Sequence, residues 1–212
     1  MEKIKNFIKI FFAHKIFKII MWVFFILCGL FLILVIYRFF YLNNQEKIDA
    51  QVIKIHNTKL TVDDVLGKNL PSDPGAQADA TVQGIDANNN GIRDDVELAV
   101  FKEYPDSAKT RAVLLQYALA LQMEVIQPMI NTITATEVVR EQSKGFQCIG
   151  STIINSESQQ AFEKLNNLVD FVKNKQFNTK ERKNSRINFL EKVRSYSDLE
   201  SVCDIDYSNL PN

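Results

Sequence analysis

The clearest chemistry in this 212-residue chain lies in residues 84–97, GIDANNNGIRDDVE. Asp86, Asn88 and Asn90 stand at alternate positions, Gly91 follows, and Glu97 comes six residues later. These side chains are oxygen donors, and oxygen at that density suits a hard cation such as Ca2+, which takes about six to eight oxygens at roughly 2.3–2.6 Å. The spacing lets one winding of backbone surround an ion. Asp86, Asn88 and Asn90 supply side-chain oxygens, Gly91 permits the sharp turn, Ile92 offers its carbonyl, and Glu97 closes the sphere with both carboxylate oxygens. Asp94 falls where a ligand binds directly or through water. The competing reading is an Asp/Asn/Gly-rich turn that only caps the helix after it.

Position for position, Asp86-x-Asn88-x-Asn90-Gly91-x5-Glu97 resembles the calcium loop of EF-hands and, more loosely, the DxNxNG loops of dockerins and thrombospondin type 3 repeats. The resemblance covers fourteen residues and implies a calcium site without an activity. Three departures limit it. Pro71, Pro74, Gly75 and Gly84 stand where an EF-hand has its entering helix, Arg93 replaces the aliphatic residue that pairs with a sister loop, and no second loop occurs in the chain. The expectation is a solitary loop leading into one exiting helix. Without a partner loop and with Asn at two positions, Ca2+ binding is expected at a Kd on the order of 10⁻⁵ to 10⁻³ M, as a structural ion. The longer stretch around ATVQGIDANNNGIRDDVE, with its proline-acid lead and its Ala/Leu/Gln-rich helix, also resembles a group of uncharacterised exported bacterial proteins, which implies location and the loop only.

The elements that must hold the loop read as helices. A short strand is expected at Gln51–His56, where polar and apolar residues alternate, and a short helix at Thr61–Leu66 capped by Thr61. Residues 70–84, LPSDPGAQADATVQG, lack an apolar stripe and read as a linker or an extended wrapping segment. Helix is expected over Asp95–Tyr104, ended by Pro105, with Asp106 or Ser107 capping the next. That next helix is apolar on two faces, Leu114, Tyr117 and Leu121 on one and Leu115, Leu119 and Met123 on the other, so it belongs in the middle of a bundle. Pro128 ends it, and helix resumes through Arg140, before a glycine-flanked segment, Gly145–Gly150. Ser156 with Gln159 reads as a capping box for a helix with Phe162, Leu165, Leu168, Val169 and Val172 inward, and a last helix over Thr179–Tyr196 turns Ile187, Leu190 and Val193 inward. The fold class is all-α: a single N-terminal transmembrane helix followed by a small helical bundle with an isolated calcium loop.

The N-terminus accounts for a misleading neutrality. The chain has 25 basic and 25 acidic residues, yet residues 1–42 carry +5, residues 43–106 carry −6 and residues 107–212 carry +1. Nineteen residues from Ile19 to Tyr37 hold no charge, about 28 Å of helix against a hydrocarbon core of roughly 30 Å. Trp22, Tyr37 and Tyr41 suit interfacial anchors. Five lysines precede this run and only Arg38 and Lys47 follow closely, so the N-terminus is expected in the cytoplasm and the rest exported. The apolar run exceeds a signal-peptide core and no small-x-small site follows, which favours an uncleaved signal anchor. Leu27 before Cys28 disfavours lipidation there. Residues 4–18 read either as a basic amphipathic helix on the inner leaflet or as an extension of the spanning helix. The division expected is 1–18 cytoplasmic, 19–41 transmembrane, 42–84 juxtamembrane and linker, and 85–212 an extracytoplasmic helical domain opening with the loop at 86–97. The location is the inner membrane of a bacterium with the domain in the periplasm.

Cys148 and Cys203 are the only cysteines beyond the span, and an oxidising compartment favours a disulfide between them over two free thiols. The basic residues between Lys173 and Arg194 read as a solvated helix face, an anion-binding face, or an internal match for the acidic 43–106 stretch. Export disfavours nucleic acid as a partner. His56 is the one histidine beyond the span, and no GxSxG, HExxH, CxxC or phosphate loop occurs, so no catalytic constellation or small-molecule substrate is expected. The functions left are a membrane-anchored calcium-binding protein with a structural or envelope-partner role, an immunity- or inhibitor-type binding module, and, more remotely, a calcium-dependent hydrolase.

Overall fold

The computed structural model describes residues 2–128, 130–153, 158–195, 203–208 and 210–211, with the side chains of 2–14 and 153 excepted. It is all-α, and the chain divides into two compact units, 1–47 and 48–212. Of the segment 4–18 read as amphipathic, the side chains up to residue 14 lie outside the described ones, and the expected cap at Ser156 lies outside the described residues.

The first unit is the greater part of helix α1, Glu2–Asn57. Among the described residues α1 is the one helix long and apolar enough to cross a membrane. Its large apolar side chains from Ile16 to Leu42, including Trp22, Phe31 and Tyr37, are exposed. Water is a poor solvent for such a surface, and lipid is a good one.

The second unit begins with the last turns of α1, where Gln51–His56 is helical rather than the expected strand. Ile48, Gln51 and Ile55 are buried at spacings of three and four, the helical period. That stripe outweighs an alternation only six residues long. Thr61 caps α2, Val62–Leu66, in a capping box with Asp64, and Gly67 ends it at φ 71°. Residues 70–84 take the wrapping form of the two readings open to them. They contain one 3-10 turn, Gly75–Asp79, and bury Ala78. With Ile55, Leu60 and Val65 also in the core, the folded body includes residues 48–84.

Helix α3 spans Asp94–Glu103 and α4 Ala108–Ile126, the latter capped by Ser107, whose Oγ accepts the Thr110 N–H. Buried residues run unbroken along α4 from Arg111 to Val125, and α2, α3, α5, α6 and α7 all pack on it. This is the central helix that two apolar faces require. Helix α5 covers Thr132–Ile153 and continues through the glycine-flanked stretch expected to interrupt it. Gly145 is a point of close approach: a Cβ there would lie 3.0 Å from the Tyr117 Cα. Its missing side chain brings α5 against α4 instead of ending the helix.

Helix α6, Gln159–Gln176, is capped by Ser158 and buries Leu165, Leu168, Val169 and Val172, but Phe162 is exposed. Helix α7 is shorter than expected, Lys180–Leu190. Its inward residues are Phe189 and Arg182, while Ile187 and Leu190 face out. Arg182 wins the buried position because its donors find a full set of acceptors in the wrapping segment: Asp79 and the carbonyls of Ala78, Thr81 and Val82. A guanidinium can be buried when its hydrogen bonds are satisfied in this way. Arg186 likewise turns inward over the Phe177 ring, 4.4 Å from its centroid. Part of the basic stretch is thus matched within the body.

Cys148 on α5 and Cys203 are joined by a disulfide with a Cα–Cα distance of 5.3 Å. It holds the C-terminal residues Ile205, Tyr207 and Leu210 on the core. Asp204 beside it accepts the Leu60 N–H and pairs with Lys59 at 3.1 Å, tying the tail to the chain just after α1.

Candidate metal centre

The loop 86–97 enters α3 with no helix before it. Asp94 donates its backbone N–H to the Ile85 carbonyl at 2.8 Å, which closes the loop at its neck. Within it the side chains at alternate positions wind the backbone around themselves. Asp86 accepts the Asn90 N–H on Oδ1 at 3.1 Å and the Gly91 N–H on Oδ2 at 2.9 Å. Asn88 Oδ1 accepts from Asn90 N at 3.3 Å, and Asn90 Oδ1 from Ile92 N at 2.9 Å. Asn89 and Gly91 take positive φ, 57° and 85°. That conformation is accessible to asparagine and free to glycine, which is why those types stand there.

Glu97 reaches back from the first turn of α3, where its Oε2 accepts from Asn88 Nδ2 at 3.1 Å. The structure therefore brings Asp86, Asn88, Asn90 and Glu97 into one hydrogen-bonded group. Ile92 is fully buried beneath them. Asp94 is differently engaged: both of its carboxylate oxygens accept the Ala87 N–H, at 3.0 and 3.2 Å. Among the described residues, no group of three or more His, Cys, Asp or Glu side chains is gathered closely enough to hold a metal by themselves. The donors the loop brings together are carboxylates mixed with amides.

The electrostatics are those of crowded acids. Burial pushes the Glu97 carboxyl up to about 7, partly opposed by the bond from Asn88 and the neighbouring Asn90 amide and reinforced by Asp64 and Asp94. Asp86 is raised by burial, against the backbone N–H bonds it accepts, with a contribution from Asp64. Asp94 is raised by burial and by the charges of Asp86 and Asp95. The charged groups with the largest effect on these three are other acids. Arg93, the one cation inside the loop sequence, points away: its guanidinium pairs with Asp95 and donates to the carbonyls of Lys175 and Gln176. A fully buried arginine at that position belongs to the bond between the loop and α6, which explains why an aliphatic residue is absent there.

Support for the loop comes from distant parts of the body. Asn69 offers its carbonyl to Asn88 Nδ2 at 3.0 Å. A Cβ on Gly91 would meet Leu119 Cδ1 at 2.7 Å and Thr58 Cγ2 at 3.5 Å, so the glycine also permits the loop to lie on α4. Buried Asp64 on α2 faces the same acids.

A second cluster escaped sequence reasoning. His56 Nδ1 lies 2.8 Å from Glu141 Oε1, and Nε2 lies 3.1 Å from Glu137 Oε2. Glu141 also pairs with Lys59 at 3.1 Å and Lys144 at 2.8 Å. Burial would raise Glu141, but Lys144, His56 and Lys59 together hold it below the usual carboxylate range. The cluster is neutralised internally and fastens the end of α1 to α5. Glu137, Glu141 and Lys144 share one face of α5 only because the helix continues past Arg140, its expected end, and His56 arrives there through the fold.

Comparison with family models, curated proteins and solved structures finds no match for this chain.

Proposed function

We propose that the protein is a single-pass membrane-anchored calcium-binding protein whose body lies in the periplasm of a bacterial cell and serves a structural or protein-interaction role. The carrying observation is the loop itself: Asp86, Asn88, Asn90 and Glu97 form one oxygen-rich group whose carboxyl pKa values are raised by burial and by neighbouring acids. A divalent cation relieves that repulsion and uses the same oxygens. Asp86, Asn88, Asn90, the Ile92 carbonyl and Glu97 would hold the ion, with Asp94 reaching it through water. Bound there, Ca2+ joins the wrapping segment to α3 and stabilises the folded body by mass action.

Export of the body is supported by the lysines before the apolar run and by the Cys148–Cys203 disulfide, which persists in oxidising compartments. Isothermal calorimetry on the full chain in nanodiscs tests the ion: heat is expected on adding Ca2+, and none with the Asp86→Ala variant. Absence of heat at millimolar Ca2+ with the native chain sinks the calcium reading. Fusion of alkaline phosphatase to the C-terminus tests the side: activity is expected, and an inactive fusion reverses the topology.

A further inference from the structure

We propose that the corner between α4 and α5 docks the body on the lipid surface beside its anchor. The occupant is the headgroup–acyl boundary of the bilayer, and the contact residues are Ile126, Ile130 and Ile133. This rests on the reading of α1 as a membrane span.

The three isoleucines fall within eight residues and are 38%, 40% and 47% exposed. Local geometry holds them out. Gln127 leaves α4 with extended backbone, φ −69° and ψ 126°, and Pro128 prevents the helix from continuing. Asn131 Oδ1 then accepts the N–H groups of Ile133 at 2.8 Å and Thr134 at 3.0 Å, starting α5. The cap fixes which residues of the first turn face inward, namely the fully buried Thr134 and Ala135, and leaves Ile133 outside. No charged residue occurs from Val125 to Thr136. Insertion at an interface therefore removes apolar surface from water without desolvating a charge. The exposed Ile187 on α7 is a different case, since Arg186 stands next to it and Lys183 four residues before it.

Chain length supplies the occupant. Gln51 Nε2 donates to Gln127 Oε1 at 2.8 Å, fastening the corner to the first turns of the body. Gln51 lies nine positions after Leu42, the last of the exposed apolar run. Even fully extended, nine such steps span only about 30 Å, and as helix about 14 Å. The corner thus stays within a short tether of the membrane whichever way the body turns, and a surface held there meets lipid at high effective concentration.

The test uses the full chain with Cys28→Ala and Ile130→Cys, labelled with an environment-sensitive fluorophore under non-reducing conditions. It is reconstituted into phosphatidylethanolamine/phosphatidylglycerol vesicles containing a lipid spin label just below the headgroup. Phe162→Cys on the exposed face of α6 is the control. The Ile130 label is expected to be blue-shifted and quenched while the Phe162 label is not. Adding Ile126→Asp and Ile133→Asp should abolish the quenching while flotation with vesicles and the disulfide persist. Equal quenching at both sites in a chain that floats overturns the docking and leaves the anchor standing. A chain that does not float overturns the anchor, and the docking with it. Shielding that disappears when protein is diluted in excess lipid assigns the corner to a second copy and also overturns the proposal.

Discussion

The substitution Glu97→Gln separates a calcium loop from a capping turn because, in a calcium loop, its effect on stability depends on the ion. In cation-free buffer above pH 7, native Glu97 is an ionised carboxylate that is 1% exposed among other acids. Its carboxyl is pushed up to about 7 from an ordinary 4.5. At 1.36 kcal/mol per pH unit, the charged form destabilises the fold by roughly 3 kcal/mol. Glutamine keeps an oxygen for the Asn88 Nδ2 bond and removes the charge, so the variant should melt higher than the native chain in chelator. Calcium should narrow or close that gap. At 1 mM free Ca2+ and a Kd of about 10⁻⁵ M, mass action adds about 2.7 kcal/mol to the native body, equivalent to a rise of roughly 5–10 °C for a domain of this size. The variant lacks the bidentate carboxylate and should lose most of that increment. The assay is thermal denaturation of both chains in chelator and in 1 mM Ca2+, with Mg2+ as control. A capping turn predicts the same effect of the substitution under both conditions. Parallel melting shifts, or a native chain whose melting temperature ignores calcium, refute the reasoning.

Three further perturbations address the body. Glu124 on α4 is fully buried, and burial raises its carboxyl to about 7 against the opposing influence of Arg186, Gln142 and Lys173. The native state therefore binds its proton more tightly than the unfolded chain, so the stability present below pH 4.5 is lost as pH rises to 7. Glu124→Gln should flatten that fall by up to about 3 kcal/mol in urea titrations across the range; an unchanged slope refutes it. Arg182→Met strands the carbonyls of Ala78, Thr81 and Val82 and should cost roughly 3–5 kcal/mol, with faster hydrogen exchange over residues 75–84; a loss below about 1 kcal/mol would mean the wrap does not depend on it. Replacing Cys148 and Cys203 by serine opens a link between residues 55 apart, which should lower stability by up to about 4 kcal/mol on chain-entropy grounds and speed exchange at Ile205 and Tyr207. Exchange unaltered at the tail would show that packing alone retains it.

What the sequence disclosed and what it hid divides by the range of the interactions. The all-α class, the central position of α4 and the Thr61 and Ser107 caps follow from periods and capping residues that act within a few positions. Gly145 misled because a glycine is read as a break, whereas its reason for being there lies on another helix, at Tyr117. Ile187 and Leu190 misled because apolar residues are read as inward, whereas Arg182 finds acceptors about a hundred residues away. The loop divides in the same way. Its order of Asp, Asn, Gly and Glu is local and legible, but its support is not: Asn69 and Thr58 approach it from the chain between α1 and the wrapping segment, and Leu119 from α4. That changes the argument from isolation. A solitary loop was expected to bind weakly because no sister loop orders it, yet here the body orders it, and much of the conformational entropy that an isolated loop loses on binding is already lost on folding. On the proposed reading, the affinity belongs toward the tighter end of the 10⁻⁵ to 10⁻³ M range. The same contacts make the ion a part of the fold, since whatever loosens residues 58–69 or α4 also loosens the oxygens that would hold it.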